Sequence, residues 1–182
     1  ITGAQYTISK FKEYISSEPT DRRIVTSGDI NDGIVEWNEL PYVDGVDKFD
    51  KYAVQHNDLI ITSKSSKVKI AVVDIEPEDK IIVTGGMLIV RPTEDLDSTF
   101  LKIFLESEEG QKALKSIQKG TVITTMNAKD LEGIMVAVPD IETQKQIAKK
   151  YNNQLSTLYA LKEEAKNIEN KLANFYETEV LE

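Results

Sequence analysis

A chain of 182 residues with 40% hydrophobic and 29% charged side chains has enough apolar sequence for one folded domain plus an appendage. Its net charge of −9 counts, as a bare sum, against nucleic acid, because phosphate contacts want Lys and Arg. Zero cysteines exclude disulfides and thiolate metal sites and fit a cytoplasmic protein; no apolar run approaches the roughly 20 residues of a membrane helix, and the opening Ile1 suggests an excised part of a longer protein.

Residues 6–15, YTISKFKEYI, read equally as a short helix or a strand. From Arg23 to Trp37 two β-type runs follow, IVTSGDI and GIVEW, broken by Gly28 and by Asn31-Asp32-Gly33, with Pro41 beyond. Asn57-Asp58 leads into LIITS, and a polar turn into KIAVVDI. Pro77-Glu78-Asp79 turns into KIIVT, and Gly85-Gly86 into MLIVR, which stops at Pro92. The result is a β-rich block with short connections.

Helices take over at Asp97-Ser98, good N-cap types, with Phe100, Leu101, Phe104 and Leu105 on one face. Ser107 caps a second helix carrying Ala113, Leu114 and Ile117, and Gly120 falls where its C′ glycine belongs. Asn127 with Asp130 resembles a capping box for one more turn. IMVAV is expected as a short strand closed by Pro139. Strands first and helices later give an α+β class.

After Pro139 there is no Gly or Pro, and Thr143 is a plausible cap for a long helix. Apolar residues recur at Ile147, Tyr151, Leu158, Leu161, Ala165, Ile168, Leu172 and Phe175; with Gln154 as a polar exception, the spacing alternates four and three, the coiled-coil pattern. Some 40 residues would make a rod of about 60 Å, too long to hide its stripe on a small domain, so a partner helix is expected. The chain divides into a domain over residues 1–140 and a helix over 141–182.

Charge is unevenly placed. Residues 1–140 hold 24 of the 31 acids and 16 of the 22 bases, yet two windows hold no acid at all. Ile61 to Val73 carries Lys64, Lys67 and Lys69, and Gly110 to Lys129 carries Lys112, Lys115, Lys119 and Lys129.

Residues for catalysis are not evident. Leu40-Pro41-Tyr42 lacks the amide or acid and the second proline of an adenine-methyltransferase loop, and Gly85-Gly86 lacks the spacing of a cofactor-binding turn. Asp58 with Glu78-Asp79-Lys80 fits a metal-dependent nuclease only on paper, because Glu78 follows Pro77 in a turn. His56 is the sole histidine, which excludes His-cluster metal sites. Neither catalytic nor metal-ligating residues are assigned.

Reading bases in a groove calls for short polar side chains on loops with cations beside them. The run Thr62-Ser63-Lys64-Ser65-Ser66-Lys67, with Lys69 just beyond, supplies that mixture between two apolar strands. So does Lys119-Gly120-Thr121 followed by Thr124-Thr125-Met126-Asn127 and Lys129, where Gly120 allows close backbone approach and Asn127 is suited to pair with adenine. Arg22-Arg23, after Pro19-Thr20-Asp21, form a third candidate.

The order Asn57-Asp58-Leu59-Ile60, Arg91-Pro92, Ser107-Glu108-Glu109-Gly110-Gln111, Gly120-Thr121, Asp130-Leu131, Val138-Pro139 and Gln144-Lys145-Gln146-Ile147-Ala148 resembles the DNA-specificity (S) subunits of type I restriction-modification systems. The likeness spans Asp58 to Ala148 and runs on into the helix. It implies a non-catalytic domain that reads double-stranded DNA, with two such domains held apart by paired helices on the halves of a split site. The partners implied are a methyltransferase (M) subunit or domain that N6-methylates adenine, and a second copy or second specificity half. The cofactor S-adenosylmethionine would belong to the methyltransferase and none to this chain; an accompanying endonuclease is left open. Two departures stand out. The turn after Ile60 is rich in Ser and Lys where the family often has Gly, and there is one domain and one helix where subunits commonly carry two. The chain thus resembles a half-subunit or the C-terminal part of a fused methyltransferase-specificity protein. The alternative without the resemblance is an interaction module that uses its helix for assembly and does not touch DNA.

Overall fold

The computed structural model describes residues 11–120 and 122–175. The first half of the ambiguous 6–15 segment lies outside them; its second half contains a 3-10 turn at Lys12–Tyr14. Among the described residues seven strands follow: β1 Arg22–Val25, β2 Leu59–Thr62, β3 Lys64–Ser65, β4 Ile70–Val72, β5 Lys80–Val83, β6 Met87–Val90 and β7 Thr124–Thr125. The helices are α1 Ser98–Glu106, α2 Glu108–Ile117, α3 Ala128–Glu132 and α4 Ile141–Ala173. The class is α+β, with a β-rich domain and a long C-terminal helix.

The layering follows from strands that are apolar on both faces. β2 lies between β4 and β6, antiparallel to both, and all four of its residues are buried. Because successive side chains point to opposite faces, Leu59 and Ile61 pack with Leu88, Leu101, Leu105 and Leu114 beneath α1 and α2. Ile60 joins Ala71, Ile89, Ile81 and Val83 on the other side. The same split recurs in the parallel pair β1–β5, where Val25 and Val83 face that central core while Ile24 and Ile82 meet Phe11, Val43 and Phe49. Helices, antiparallel sheet, parallel pair and N-terminal segment are therefore stacked layers sharing three cores.

Caps behave mostly as expected. The Asp97 side chain accepts from the Phe100 N–H at 2.8 Å, Ser107 from the Gly110 N–H at 3.2 Å, and Asn127 with Asp130 forms the anticipated capping box. Four expectations need correction. GIVEW is not a strand: Asn31 and Ile34 bridge a tight hairpin, and Trp37–Glu39 is a 3-10 turn. The α2 helix ends in an extended Gln118, so Gly120 is not its C′ residue but a hairpin glycine at φ +106°. IMVAV pairs with no strand, and Met135 within it is 89% exposed. Lastly, α4 is capped by Asp140, whose carboxylate accepts from the Thr143 N–H at 2.9 Å and its hydroxyl at 2.8 Å. Asp140 reaches the first turn from outside, which Thr143 within it cannot do.

The root of α4 is fixed by Gln144, which is fully buried. Its amide donates to the carbonyls of Asp95 and Pro139 at 2.9 and 2.8 Å and accepts from the Asp97 N–H at 2.9 Å. Gln144→Ala strands those three backbone groups and is expected to cost about 2–3 kcal/mol. Denaturant unfolding measures this loss, and faster amide exchange in the first turns of α4 shows where it falls.

Further along, α4 is held by a face that shares only Tyr151 with the predicted stripe. Tyr151 OH bonds Glu106 at 3.1 Å, and Tyr159 OH donates to the Asp32 carbonyl at 3.0 Å. The Lys162 ammonium meets the Asp32 carboxylate at 2.6 Å. Burial, then Glu106, pushes the Tyr151 phenol up to about 12. Asp32 and Gly33, at φ +49° and +83°, are the centre of a two-residue hairpin, and the Gly33 carbonyl accepts from Lys102 Nζ at 3.1 Å. Of the heptad positions, Tyr151 thus faces the domain. Ile147, Leu158, Leu161, Ala165, Ile168, Leu172 and Phe175 are exposed. The expectation that the helix is too long to hide its stripe agrees with this geometry, although its first half does pack on the domain.

Candidate nucleic-acid interface

Far apart in sequence, the two acid-free windows meet in space. β3 and β7 pair antiparallel, Lys64 opposite Thr125 and Ser65 opposite Thr124. A third segment joins them: the Lys119 N–H donates to the Thr125 carbonyl at 2.9 Å, and the Thr125 N–H returns to the Lys119 carbonyl at 2.8 Å. The Met126 N–H to Ser63 carbonyl bond, 2.9 Å, extends the ladder. Directly opposed residues share a face, so Lys64, Thr125 and Lys119 stand in one cross-strand row, all three exposed. With strands about 5 Å apart, the two lysine Cα atoms are roughly 10 Å apart. Ser65 and Thr124 form the next row, which points to the other, half-buried face.

Gly120 makes this arrangement possible. At φ +106°, a Cβ there would lie 2.5 Å from the Ile123 carbonyl oxygen, so only glycine lets the hairpin close. The tip of that hairpin exposes two aliphatic side chains, Val122 at 80% and Ile123 at 55%. Thr121 lies outside the described residues.

Several of the predicted contact residues are occupied within the chain. Thr124 Oγ1 donates to the Ser65 carbonyl at 3.0 Å, the Asn127 side chain caps α3, and Lys69 Nζ donates to the carbonyls of Ser27 and Ile30 at 3.0 and 2.8 Å. Lys119 Nζ lies 3.6 Å from Asp130 on the surface. Ser66, Lys67 and Lys129 are exposed, and Ser63 is half-buried.

Arg22 and Arg23 belong to a separate set of contacts. Arg22 sits among Asp21, Asp47 and Asp50, and Arg23 bonds Asp79 at 2.7 Å, the carbonyls of Asn38 and Leu40, and Tyr42, whose ring it also stacks on at 3.9 Å. None of these partners lies in the β3–β7 ladder. The Asp50 hydrogen bond raises the Arg22 guanidinium above its ordinary value. In return, bonds from Arg22 and Lys80 hold the Asp50 carboxyl down at about 2 against an ordinary 3.8. A depressed carboxyl contributes stability that is complete above its unfolded value and lost as pH falls through the folded one. Thermal melts should therefore show a loss between about pH 4 and pH 2 that is smaller in Asp50→Asn. An identical acid limb in that variant would show the cluster to be screened by solvent.

The family model for the type I restriction modification DNA specificity domain matches residues 6–173. The chain belongs to that family. This specificity domain is 28% identical over 154 residues to the Escherichia coli type I restriction enzyme EcoBI specificity subunit, covering 76% of this chain and 30% of that subunit. It also shares its fold with the HsdS subunit from Thermoanaerobacter tengcongensis, at TM-score 0.60 and 15% identity over 96% of this chain and 39% of that one. A chain from a type I restriction-modification system gives TM-score 0.64 at 16% identity, and the S subunit from M. genitalium 0.54 at 17%. The specificity domain spans well under half the length of each of these relatives. Among its described residues, no helix is long and apolar enough to cross a membrane.

Proposed function

We propose that this specificity domain reads one half of a bipartite duplex-DNA site and directs a partner adenine-N6 methyltransferase to it in the cytoplasm, itself catalysing nothing. The observation that carries the reading is the exposed Lys64–Thr125–Lys119 row, built from two acid-free windows of a chain whose net charge is −9. Lysines on one face can neutralise successive phosphates, while loop side chains beside them approach base edges. In this reading residues 1–140 are the recognition domain, and α4 pairs with a second such helix and docks the methyltransferase, which holds S-adenosylmethionine. The exposed stripe from Leu158 to Leu172 supports that role.

The test is duplex binding by the chain assembled with its methyltransferase subunit, across a salt series. Each phosphate contact adds about 0.9 to the slope of log affinity against log salt. Lys64→Ala with Lys119→Ala should lower the slope by roughly 2. Binding that ignores salt, or no binding by the assembled complex, sinks the reading in favour of an assembly module.

A further inference from the structure

We infer that Val122 and Ile123 are base-reading residues that recognise the C5-methyl groups of thymines in the major groove; the inference rests on the DNA reading above. Several of the hydrogen-bonding side chains that a polar loop would offer to base edges are used within the chain. Thr124 Oγ1 donates to Ser65, Thr62 Oγ1 and Ser65 Oγ meet at 3.0 Å, Asn127 caps α3, and Lys69 is bound by two carbonyls. What the hairpin presents outward is apolar: Val122 and Ile123, 80% and 55% exposed.

These two side chains lie in a stretch without acids from Gly110 to Lys129, next to the exposed Lys64 and Lys119 of the cross-strand row, of which Lys119 meets Asp130 at 3.6 Å. An apolar tip at the end of a hairpin whose base carries cations is complementary to a groove whose rims are phosphates and whose one apolar edge group is the thymine methyl. The strands flanking the tip are also held in place. Reciprocal Lys119–Thr125 backbone bonds and the obligatory glycine at 120 close the hairpin, and β3 pins its second strand to the body of the domain. The strands that carry these groups therefore need no ordering before contact, which lowers its entropic cost.

The chain, assembled with its methyltransferase subunit, is used to select sites from a randomised duplex pool. Each thymine of the selected half-site is then replaced in turn by deoxyuridine, which removes only the methyl. For the unaltered complex, one or two replacements should weaken binding about three- to fivefold each, the worth of a buried methyl. Val122→Ala with Ile123→Ala should bind the thymine duplex more weakly by a similar factor and no longer distinguish it from the deoxyuridine duplex. Val122→Ser with Ile123→Ser should lose discrimination as well, and a thermal midpoint unchanged in both variants excludes unfolding as the cause. Discrimination retained by the variants, or absent at every position for the unaltered complex, overturns the inference and leaves DNA recognition standing. Failure to select any sequence overturns both. Variants that no longer assemble with the methyltransferase would identify the tip as a protein contact and overturn the inference as well.

Discussion

Arg91→Met is expected to lower the free energy of unfolding by about 3–5 kcal/mol, the scale for stranding a buried charge. Asp58 is fully buried at the start of β2, and its two carboxylate oxygens accept from Arg91 Nε at 2.8 Å and an Arg91 terminal nitrogen at 2.7 Å. The Gln55 N–H donates to the same carboxylate at 2.8 Å. Removing Asp58 is the milder insult, because the Arg91 side chain is about a third exposed and can turn to water. Removing Arg91 leaves a buried carboxylate with one backbone donor. The double variant Asp58→Asn with Arg91→Met should recover part of the loss, since the stranded group is then neutral. A single-variant loss within about 1 kcal/mol in denaturant unfolding would mean that water reaches the pair.

Gly110→Ala should cost about 3 kcal/mol or more, at the upper end of overpacking effects. The α1 and α2 helices share Ser107 as C-cap and N-cap, so no linker separates them. The first turn of α2 is therefore pressed against the last turn of α1. A Cβ on Gly110 would lie 2.0 Å from the Phe104 carbonyl oxygen and 2.6 Å from Leu105 Cα, both backbone atoms that cannot swing aside. Gly133→Ala is the matched control: its Cβ would meet Asp130 O at 3.4 Å, and its φ is −78°. Thermal unfolding of the pair should show a large drop for the first and little change for the second. Equal effects would mean that the helix corner relaxes.

Both residues lie in motifs by which the family resemblance is recognised, Asn57-Asp58-Leu59-Ile60 with Arg91-Pro92, and Ser107 to Gln111. Their visibility in the sequence comes from structural demands: a buried ion pair and a corner that admits no side chain. Helix caps were legible for the same kind of reason, since Asp97, Ser107 and Asn127 satisfy backbone donors a fixed three residues away. IMVAV misled because a continuous apolar run signals burial as readily as pairing. Ile134 and Val136 do pack against the helical core, but no strand meets them.

The polar loops were legible as composition, but not as geometry. Serines, threonines and lysines announce a surface turn, whereas the β3–β7 register joins residues some 60 positions apart, and no local pattern encodes that pairing. Nor does composition distinguish Lys64, which is exposed, from Lys69, whose ammonium is held by two carbonyls. The sign that was available for Val122 and Ile123 was two adjacent aliphatics inside an acid-free loop.

The division of α4 between a docked face and an exposed stripe sets rules for how the helix can change length. Gln144, Ala148, Tyr151, Tyr159 and Lys162 seat it on the domain, whereas Leu161 faces solvent and Ala165, Ile168 and Leu172 are exposed past the last of these contacts. Each inserted residue advances the distal part of the helix by about 1.5 Å and swings it through about 100°. Within the seated stretch, any insertion shears a docking contact out of phase. Past Lys162 the seat is untouched, and only azimuth matters. One added residue would turn the stripe away from its former direction, whereas a block of seven lengthens the projecting end by about 10 Å and leaves it within about 20° of where it pointed. Reach can therefore drift through evolution in near-heptad quanta at the distal end alone, without renegotiating how the domain is held.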